Sequence, residues 1–350
     1  MDSWSPAEDP AEVVEQVRRW LAGPEDVRLV VRTSGSTGAP KRVVLTRAAV
    51  LASVAASAAR LGGTGPWALA LPASYVAGVQ VLVRSLVAGH EPVLVDADGW
   101  PAGEGWFTSL VPTQLARMGA DPAGLETLRR ARTVLLGGGP IDPRVRERAE
   151  AAGVRVVATY GAAETAGGCV YDGLPLDGVA VALGTSGRIR LAGPTLFERY
   201  DDDPALTAEV LVDGWYLTSD AGRLDEDGRL VVLGRVDDVV VTGGLNVPAP
   251  AVAARLREHP AVAEAEVLGV PDEEWGHRVV AFVVPGRTVG SSTSNPHFEH
   301  VEPSVSLAEL RDWVAAERPR AWAPRQLVVL AEIPLLPNGK PDRQALRGLA

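Results

Sequence analysis

Two lysines stand among this chain's 34 basic residues, each in a short loop punctuated by glycine and proline. Lys41 closes the run Thr33-Ser34-Gly35-Ser36-Thr37-Gly38-Ala39-Pro40-Lys41, and Lys340 lies in Pro337-Asn338-Gly339-Lys340-Pro341-Asp342-Arg343. Every other basic residue is arginine. A guanidinium is a planar fork and an ammonium a compact, rotatable point charge, so a site built for the second cannot take the first. The loop before Lys41 offers four hydroxyls and two glycines. Small residues let backbone amides approach an anion, and hydroxyls add donors around phosphate oxygens. It is not a Walker loop, because Arg42 stands where a hydroxyl should follow the lysine. Two further loops have related character. Gly137-Gly138-Gly139-Pro140 follows the apolar run Thr133–Leu136, and Tyr160-Gly161-Ala162-Ala163-Glu164-Thr165 follows a run ending at Ala158. A planar ring suits an adenine face, and a carboxylate suits Mg²⁺.

These loops need a frame. Val13, Val14, Val17, Trp20 and Leu21 share one face of a helix over 11–22, and Leu29–Val31 is a short apolar strand leading into the first lysine loop. Strand-like runs at Ala68–Leu71, Pro92–Val95, Thr133–Leu136 and Arg155–Ala158 alternate with helix-like ones at Ala48–Leu61, Val76–Val87 and Asp142–Ala152. That alternation predicts an α/β core with largely parallel pairing, its ligands at the carboxyl ends of the strands. After residue 185 the character changes. Arg188–Leu191, Glu209–Val212, Tyr216–Thr218 and Leu230–Leu233 are short runs with Asp-Gly turns at 213–214 and 227–228, as in an antiparallel meander. Pro248-Ala249-Pro250 then opens a helix through Glu258, Val262–Gly269 and Val279–Val284 read as strands, and Ser306 to Glu309 forms a capping box. The polar stretch Arg235-Val236-Asp237-Asp238 marks the boundary between domains at 1–236 and 237–350, the second a small mobile α+β unit.

Bulk properties exclude several classes. At 350 residues with 46% apolar content and a mean hydropathy of +0.07, the chain has ample material for a large core. A net charge of −10 with scattered arginines speaks against a nucleic-acid partner. No run is long and apolar enough for membrane insertion, and no signal-peptide pattern opens the chain. One cysteine, Cys169, fits a reducing cytoplasm and reads as a small packed residue rather than a nucleophile. The polar, aperiodic stretch 287–305 reads as a loop inside the small domain, its His297, Glu299 and His300 incidental rather than metal ligands. The acidic runs Asp201-Asp202-Asp203 and Asp225-Glu226-Asp227 read as solvated turns.

The order of the chemical elements is more specific than any one of them. Thr-Ser-Gly-Ser-Thr-Gly-x-Pro-Lys, Gly-Gly-Gly-Pro, Tyr-Gly-x-x-Glu, Tyr216-Leu-Thr-Ser-Asp220, Gly234-Arg-x-Asp-Asp238 and Gly339-Lys340 together resemble the acyl-adenylate-forming (AMP-binding) superfamily over nearly the whole chain. Within it, Ser109-Leu-Val-Pro-Thr-Gln-Leu115, Val83-Arg84-Ser-Leu-Val-Ala-Gly89 and Gly167-Gly168-Cys169-Val-Tyr-Asp-Gly173 look most like the o-succinylbenzoate–CoA ligases of menaquinone biosynthesis. The resemblance implies adenylation of an aromatic acid by Mg·ATP, then transfer of the acyl group to coenzyme A. It implies that Thr33, Ser34, Gly35, Ser36, Thr37, Gly38 and Lys41 hold the departing phosphates, and that Tyr160 and Gly161 pack on adenine beside Gly137, Gly138 and Gly139. Glu164 would hold Mg²⁺, Asp220 and Arg235 the ribose, and Lys340 would bridge the acid and the α-phosphate. Asp237 matches the hinge, and Gly243 and Gly244 the coenzyme A channel. Arg84, Ser109 and Gly168 would surround the acid, Arg84 supplying the second anion site that a dicarboxylate needs. A helix-surface ion pair is the competing account of Arg84.

Three departures stand out. Only 32 residues precede the phosphate loop, where the family has a full leading subdomain, which puts the usual packing and any homo-oligomer contact in question. Ala163 replaces a threonine whose hydroxyl Thr165 would supply instead, and Tyr75 stands where relatives carry histidine. The alternatives are a ligase for a different acid, an adenylation domain loading a carrier protein, and a non-catalytic adenylate-binding module.

Overall fold

The computed structural model describes residues 2–33, 40–286, 305–336 and 339–350, except for the side chains of Ser186 and Asp237. Ser34, Gly35, Ser36, Thr37 and Gly38 of the phosphate loop lie outside the described residues, as do His297, Glu299 and His300. Two compact units emerge. The larger comprises residues 2–218 and 222–231 with Gly339 and Lys340; the smaller comprises Ser219–Ala221 and the described parts of 232–336 and 341–350.

The larger unit is built on a seven-stranded sheet ordered Leu174–Pro175, Gly167–Tyr171, Val156–Ala162, Thr133–Leu136, Phe107–Leu110, Trp67–Leu69, Val93–Leu94. The five strands from Val156–Ala162 onward are mutually parallel, and the other two are antiparallel. All four residues of Thr133–Leu136 are buried, because side chains alternate between two covered faces. Leu135 joins Val54, Leu82, Val83 and Val157 on one face, while Val134 and Leu136 join Leu110, Leu115 and Leu128 on the other. Full burial of each such side chain stabilises by roughly 1.5–3 kcal/mol. The helix Arg47–Leu61 is capped by Thr46, whose hydroxyl accepts from Ala49 N at 3.0 Å. The helix Val76–Val87 begins at Tyr75 without a side-chain cap.

A second sheet, ordered Ser3–Trp4, Arg28–Arg32, Arg42–Leu45, Arg199–Tyr200, carries both ends of the phosphate loop. Its antiparallel register sets Tyr200 opposite Val43, two residues from Lys41. The meander that follows contains the expected two-residue turn at Asp213-Gly214, both residues at positive φ, which pairs Val212 with Trp215.

Two local expectations are corrected. Glu209–Val212 is not a strand: the helix Pro204–Val210 occupies most of it and only Leu211–Val212 is extended. Asp203 caps that helix by accepting from Leu206 N at 2.8 Å, and Pro204 fills the first position, where its missing N–H costs nothing. Within the run 201–203, Asp202 and Asp203 are exposed as expected of a turn, while Asp201 accepts from Arg42 Nη2 at 2.7 Å. Lastly, Tyr160 and Gly161 continue the strand Val156–Ala162 rather than forming a loop, because the antiparallel neighbour Gly167–Tyr171 pairs with them.

The smaller unit packs the helices Ala249–Arg257 and Leu307–Ala315 around a sheet of Val262–Asp272, Gly276–Pro285 and Gln326–Val329. Ser306 caps the second helix by accepting from Glu309 N at 3.2 Å. Val239–Thr242 and Leu245–Pro248 form a ribbon turning at Gly243-Gly244, at φ +55° and +78°. Among the described residues, no helix is long and apolar enough to cross a membrane.

Candidate active site

The phosphate loop is closed at its base by a reciprocal pair. Thr33 N donates to the Lys41 carbonyl at 2.9 Å, and Lys41 N donates to Thr33 Oγ1 at 3.0 Å. Thr33 thus spends its lone pairs on the chain's own backbone while its O–H stays able to donate. The Lys41 ammonium lies 5.3 Å from the centre of the Tyr200 ring, a cation–π arrangement.

The same tyrosine holds Glu164. Its hydroxyl donates to Glu164 Oε1 at 2.7 Å, and both residues are buried, at 2% and 5% exposure. Phe197 fixes the backbone beside them by donating its N–H to the Glu164 carbonyl at 2.8 Å. Its ring packs 4.9 Å from Tyr200 and 5.6 Å from Tyr216. Burial, then the negative charge of Glu164 and the hydrogen bond to it, push the Tyr200 phenol above the ordinary tyrosine range. A buried carboxylate with one oxygen satisfied by the protein is a hard oxygen donor suited to Mg²⁺, which takes one or two carboxylates together with substrate phosphates. The donor chemistry of this corner fits that ion.

Glycines bring the backbone close where the sequence expected a nucleotide. A Cβ on Gly161 would stand 2.2 Å from the Gly167 carbonyl oxygen, and one on Gly137 would stand 2.3 Å from Thr159 Oγ1. Gly138 sits at φ +84°, with Lys340 Cε 3.7 Å from where its Cβ would be. Thr113 Oγ1 donates to the Gly339 carbonyl at 3.4 Å. Thr165 does not stand in for the hydroxyl missing at Ala163. Fully buried, it accepts from Ala162 N at 2.9 Å and donates to the Gly167 carbonyl at 2.7 Å, so its oxygen is committed to the turn.

Around Arg84 the polar groups are less complete. Arg84 is 6% exposed, its guanidinium 4.9 Å above the Trp67 ring, and Nη2 donates to Tyr171 Oη at 3.4 Å. The surface ion pair is thereby excluded: Arg84 is buried and makes no ion pair among the described residues. Its Nε and the Oε1 of Gln80, one helical turn earlier, are buried without a hydrogen-bond partner. Ser57 and Tyr171 hydroxyls lie 2.9 Å apart beside them. Ser109 is buried on the strand Phe107–Leu110, and Gly168 lies on Gly167–Tyr171. Cys169 on that strand is fully buried, which pushes its thiol up to about 12.

Asp220, Arg235, Gly243 and Gly244 belong to the smaller unit. Asp220 and Arg235 lie on paired strands, Trp215–Leu224 and Leu230–Arg235. Asp237 falls in the short helical turn Val236–Asp238, and its neighbour Asp238 accepts from Arg343 Nη1 at 2.5 Å. Gly243 is pressed against Trp275, whose ring would stand 2.7 Å from an added Cβ. An open cleft of about 510 Å³ elsewhere is lined by Arg146, Asp172, Asp225 and Arg229; Arg146 pairs with Asp172, the Arg229 backbone N–H donates to Asp225 Oδ1, and Arg229 Nη1 donates to the Asp172 carbonyl.

Sequence reasoning missed Tyr200, Phe197 and Gln80. Two signals pointed to them: aromatics flanking two charges in Phe197-Glu-Arg-Tyr200, and a glutamine four residues before Arg84 on an otherwise apolar helix.

Comparison with known proteins gives the family. Residues 2–197 match the AMP-binding enzyme family, and residues 251–340 match the AMP-binding enzyme C-terminal domain. The chain is 42% identical over 336 residues to the "Probable 2-succinylbenzoate--CoA ligase" of Mycobacterium tuberculosis, covering 92% of this chain and 84% of that protein. Its fold is similar to o-succinylbenzoate CoA synthetase (MenE) from Bacillus subtilis in complex with the acyl-adenylate intermediate, with a TM-score of 0.74 and 28% identity over 91% of this chain and 68% of that one. The same synthetase in complex with ATP and magnesium ion gives a TM-score of 0.73 at 27% identity, over 91% and 69%. With over half its length matched by the family model and a 42% identical relative aligned to 92% of it, this chain belongs to the AMP-binding enzyme family.

Proposed function

We propose that this chain is an AMP-forming acid–CoA ligase that converts o-succinylbenzoate to o-succinylbenzoyl-CoA in menaquinone biosynthesis, using ATP, Mg²⁺ and coenzyme A. The observation that carries the reading is the placement of the chain's two ammonium groups. Lys41 stands at the phosphate loop over Tyr200, and Lys340 stands against Gly138, in the loop that follows a parallel strand.

In the first half-reaction the acid's carboxylate attacks the α-phosphorus of ATP, a P–O bond forms, and the bond to pyrophosphate breaks. Two anions must meet while negative charge moves to the leaving group, so preorganised positive charge is the main requirement. Lys41 and the loop 33–38 receive that charge. Lys340 bridges the acid and the α-phosphate. Tyr160 packs on adenine beside Gly137–Gly139, where the absence of side chains allows close approach, and Asp220 and Arg235 take the ribose hydroxyls. Glu164 would hold Mg²⁺, which would neutralise phosphate charge when bound. In the second half-reaction the thiol of coenzyme A attacks the acyl carbon and AMP leaves. Residues 237–350 act as the mobile domain, turning at Asp237 to exchange Lys340 for Gly243 and Gly244.

For the acid, Arg84 is the anchor. A buried cation without a carboxylate partner is unfavourable alone and is relieved by an incoming anion. The second carboxylate of o-succinylbenzoate supplies that anion. Mass detection of o-succinylbenzoyl-CoA from ATP, coenzyme A and the acid tests the proposal. Product with equimolar AMP and pyrophosphate is expected. Pyrophosphate release with another acid and none with this one would reassign the substrate.

A further inference from the structure

We propose that Tyr200 is a positioning residue that keeps Glu164 and Lys41 apart and commits one oxygen of Glu164 to the protein, leaving the other for the divalent cation of the nucleotide. The inference rests on the reading of Glu164 as the metal-holding carboxylate and Lys41 as the phosphate-holding ammonium. It adds a residue that touches both.

The geometry is specific. One buried ring accepts the Lys41 ammonium over its face at 5.3 Å and donates from its edge hydroxyl to Glu164 Oε1 at 2.7 Å. One ring thus meets both charges, and direct pairing of the two would cancel the charge each must offer to the phosphates. Among the described residues, no ion pair involves Lys41 or Glu164, although arginines elsewhere pair readily with carboxylates. Tyr200 is itself held firmly. Its backbone N–H donates to Thr207 Oγ1 at 2.9 Å, its strand pairs with Arg42–Leu45, and Phe197 packs on its ring. The register that sets Tyr200 against Val43 therefore also sets its hydroxyl against Glu164.

Carboxylates that ligate metals are commonly oriented by a hydrogen bond of this kind, and its loss lowers metal affinity by about 10–100-fold. The test uses Mn²⁺ as the probe cation, with its binding to the protein complexed with α,β-methylene-ATP followed by electron paramagnetic resonance. Wild type, Tyr200→Phe, Tyr200→Leu and Glu164→Gln are compared, with thermal melting of each in the absence of metal and nucleotide. Tyr200→Phe keeps the ring under Lys41, so it should weaken Mn²⁺ by about 10–100-fold with the affinity for the analogue itself unchanged. Excess metal should restore pyrophosphate exchange in this variant. Tyr200→Leu should weaken both metal and analogue. Unchanged Mn²⁺ affinity in Tyr200→Phe beside a clear loss in Glu164→Gln overturns the role of Tyr200 and leaves the reading of Glu164 standing. Unchanged affinity in Glu164→Gln overturns that reading, and this inference with it. A lowered melting point with intact metal binding would make Tyr200 a packing residue and also overturns the proposal.

Discussion

The corner around Glu164 and the buried cluster around Arg84 lie in the same unit, yet they satisfy their polar groups in opposite ways. At Glu164 the charged oxygen meets a tyrosine hydroxyl, the backbone is tied to Phe197, and Thr165 closes the turn. At Arg84 a buried guanidinium has an aromatic face and one long hydrogen bond, with its own Nε and a neighbouring glutamine oxygen left unpaired. Complete networks are rigid before any ligand arrives, whereas a buried polar atom without a partner costs about 1–3 kcal/mol until something pairs with it. The difference teaches how the work is divided. On the proposed roles, the protein prepares the nucleotide side in advance, and the acid completes its own side on arrival.

The sharpest way to break this comparison is Lys340→Ala. Removing one preorganised charge from a transition state typically costs about 10²–10³ in rate, roughly 2.7–4 kcal/mol. Adenylation should fall by that factor while thioester formation from supplied acyl-adenylate persists, as read by separate assays of the two half-reactions; equal losses would contradict the division. Next is Gly161→Ala, which pushes a methyl into the Gly167 carbonyl oxygen at 2.2 Å. We expect destabilisation of about 1–3 kcal/mol by denaturant titration, because the obstacle is backbone and cannot swing away. Arg84→Met should act in the opposite direction on stability. Replacing an uncompensated buried charge with an apolar side chain of similar length should stabilise the ligand-free protein by about 1 kcal/mol, seen as a raised melting temperature. A lower one would mean that Arg84 already has its full complement of partners.

The smallest effect belongs to Cys169. Burial raises its thiol from 9.0 to about 12, so the folded state holds the proton where the unfolded state releases it. Its stabilising contribution is full below pH 9 and fades as pH climbs from there toward 12. A thiol reagent at pH 8 should therefore label the native protein no faster than it unfolds; rapid labelling would show that the strand Gly167–Tyr171 opens readily.

Much of this was legible in the chain. The glycine spacing and the two lysines singled out the segments around Lys41, Gly137–Gly139 and Lys340, because the proposed chemistry restricts residue type there. The parallel core was legible because its strands, buried on both faces, are short continuous apolar runs. Tyr200 was hidden because its role depends on register: it reaches Glu164 only through the pairing of Arg199–Tyr200 with Arg42–Leu45, across more than 150 residues of chain. The helix Pro204–Val210 was hidden behind an acidic run whose third member turned out to be its cap. Thr165 resembled a spare phosphate donor until its bonds to Ala162 and Gly167 were seen.

The most direct test of the contrast is labelled-pyrophosphate exchange into ATP, run with o-succinylbenzoate and with its two monocarboxylate analogues on wild type and Arg84→Met. Wild type should favour the dicarboxylate over whichever analogue keeps the reacting group. In Arg84→Met the KM of the dicarboxylate should rise by roughly 30-fold, the scale for truncating one member of a buried charge pair, while the KM for ATP holds. A preference for the dicarboxylate that survives the substitution would contradict the account.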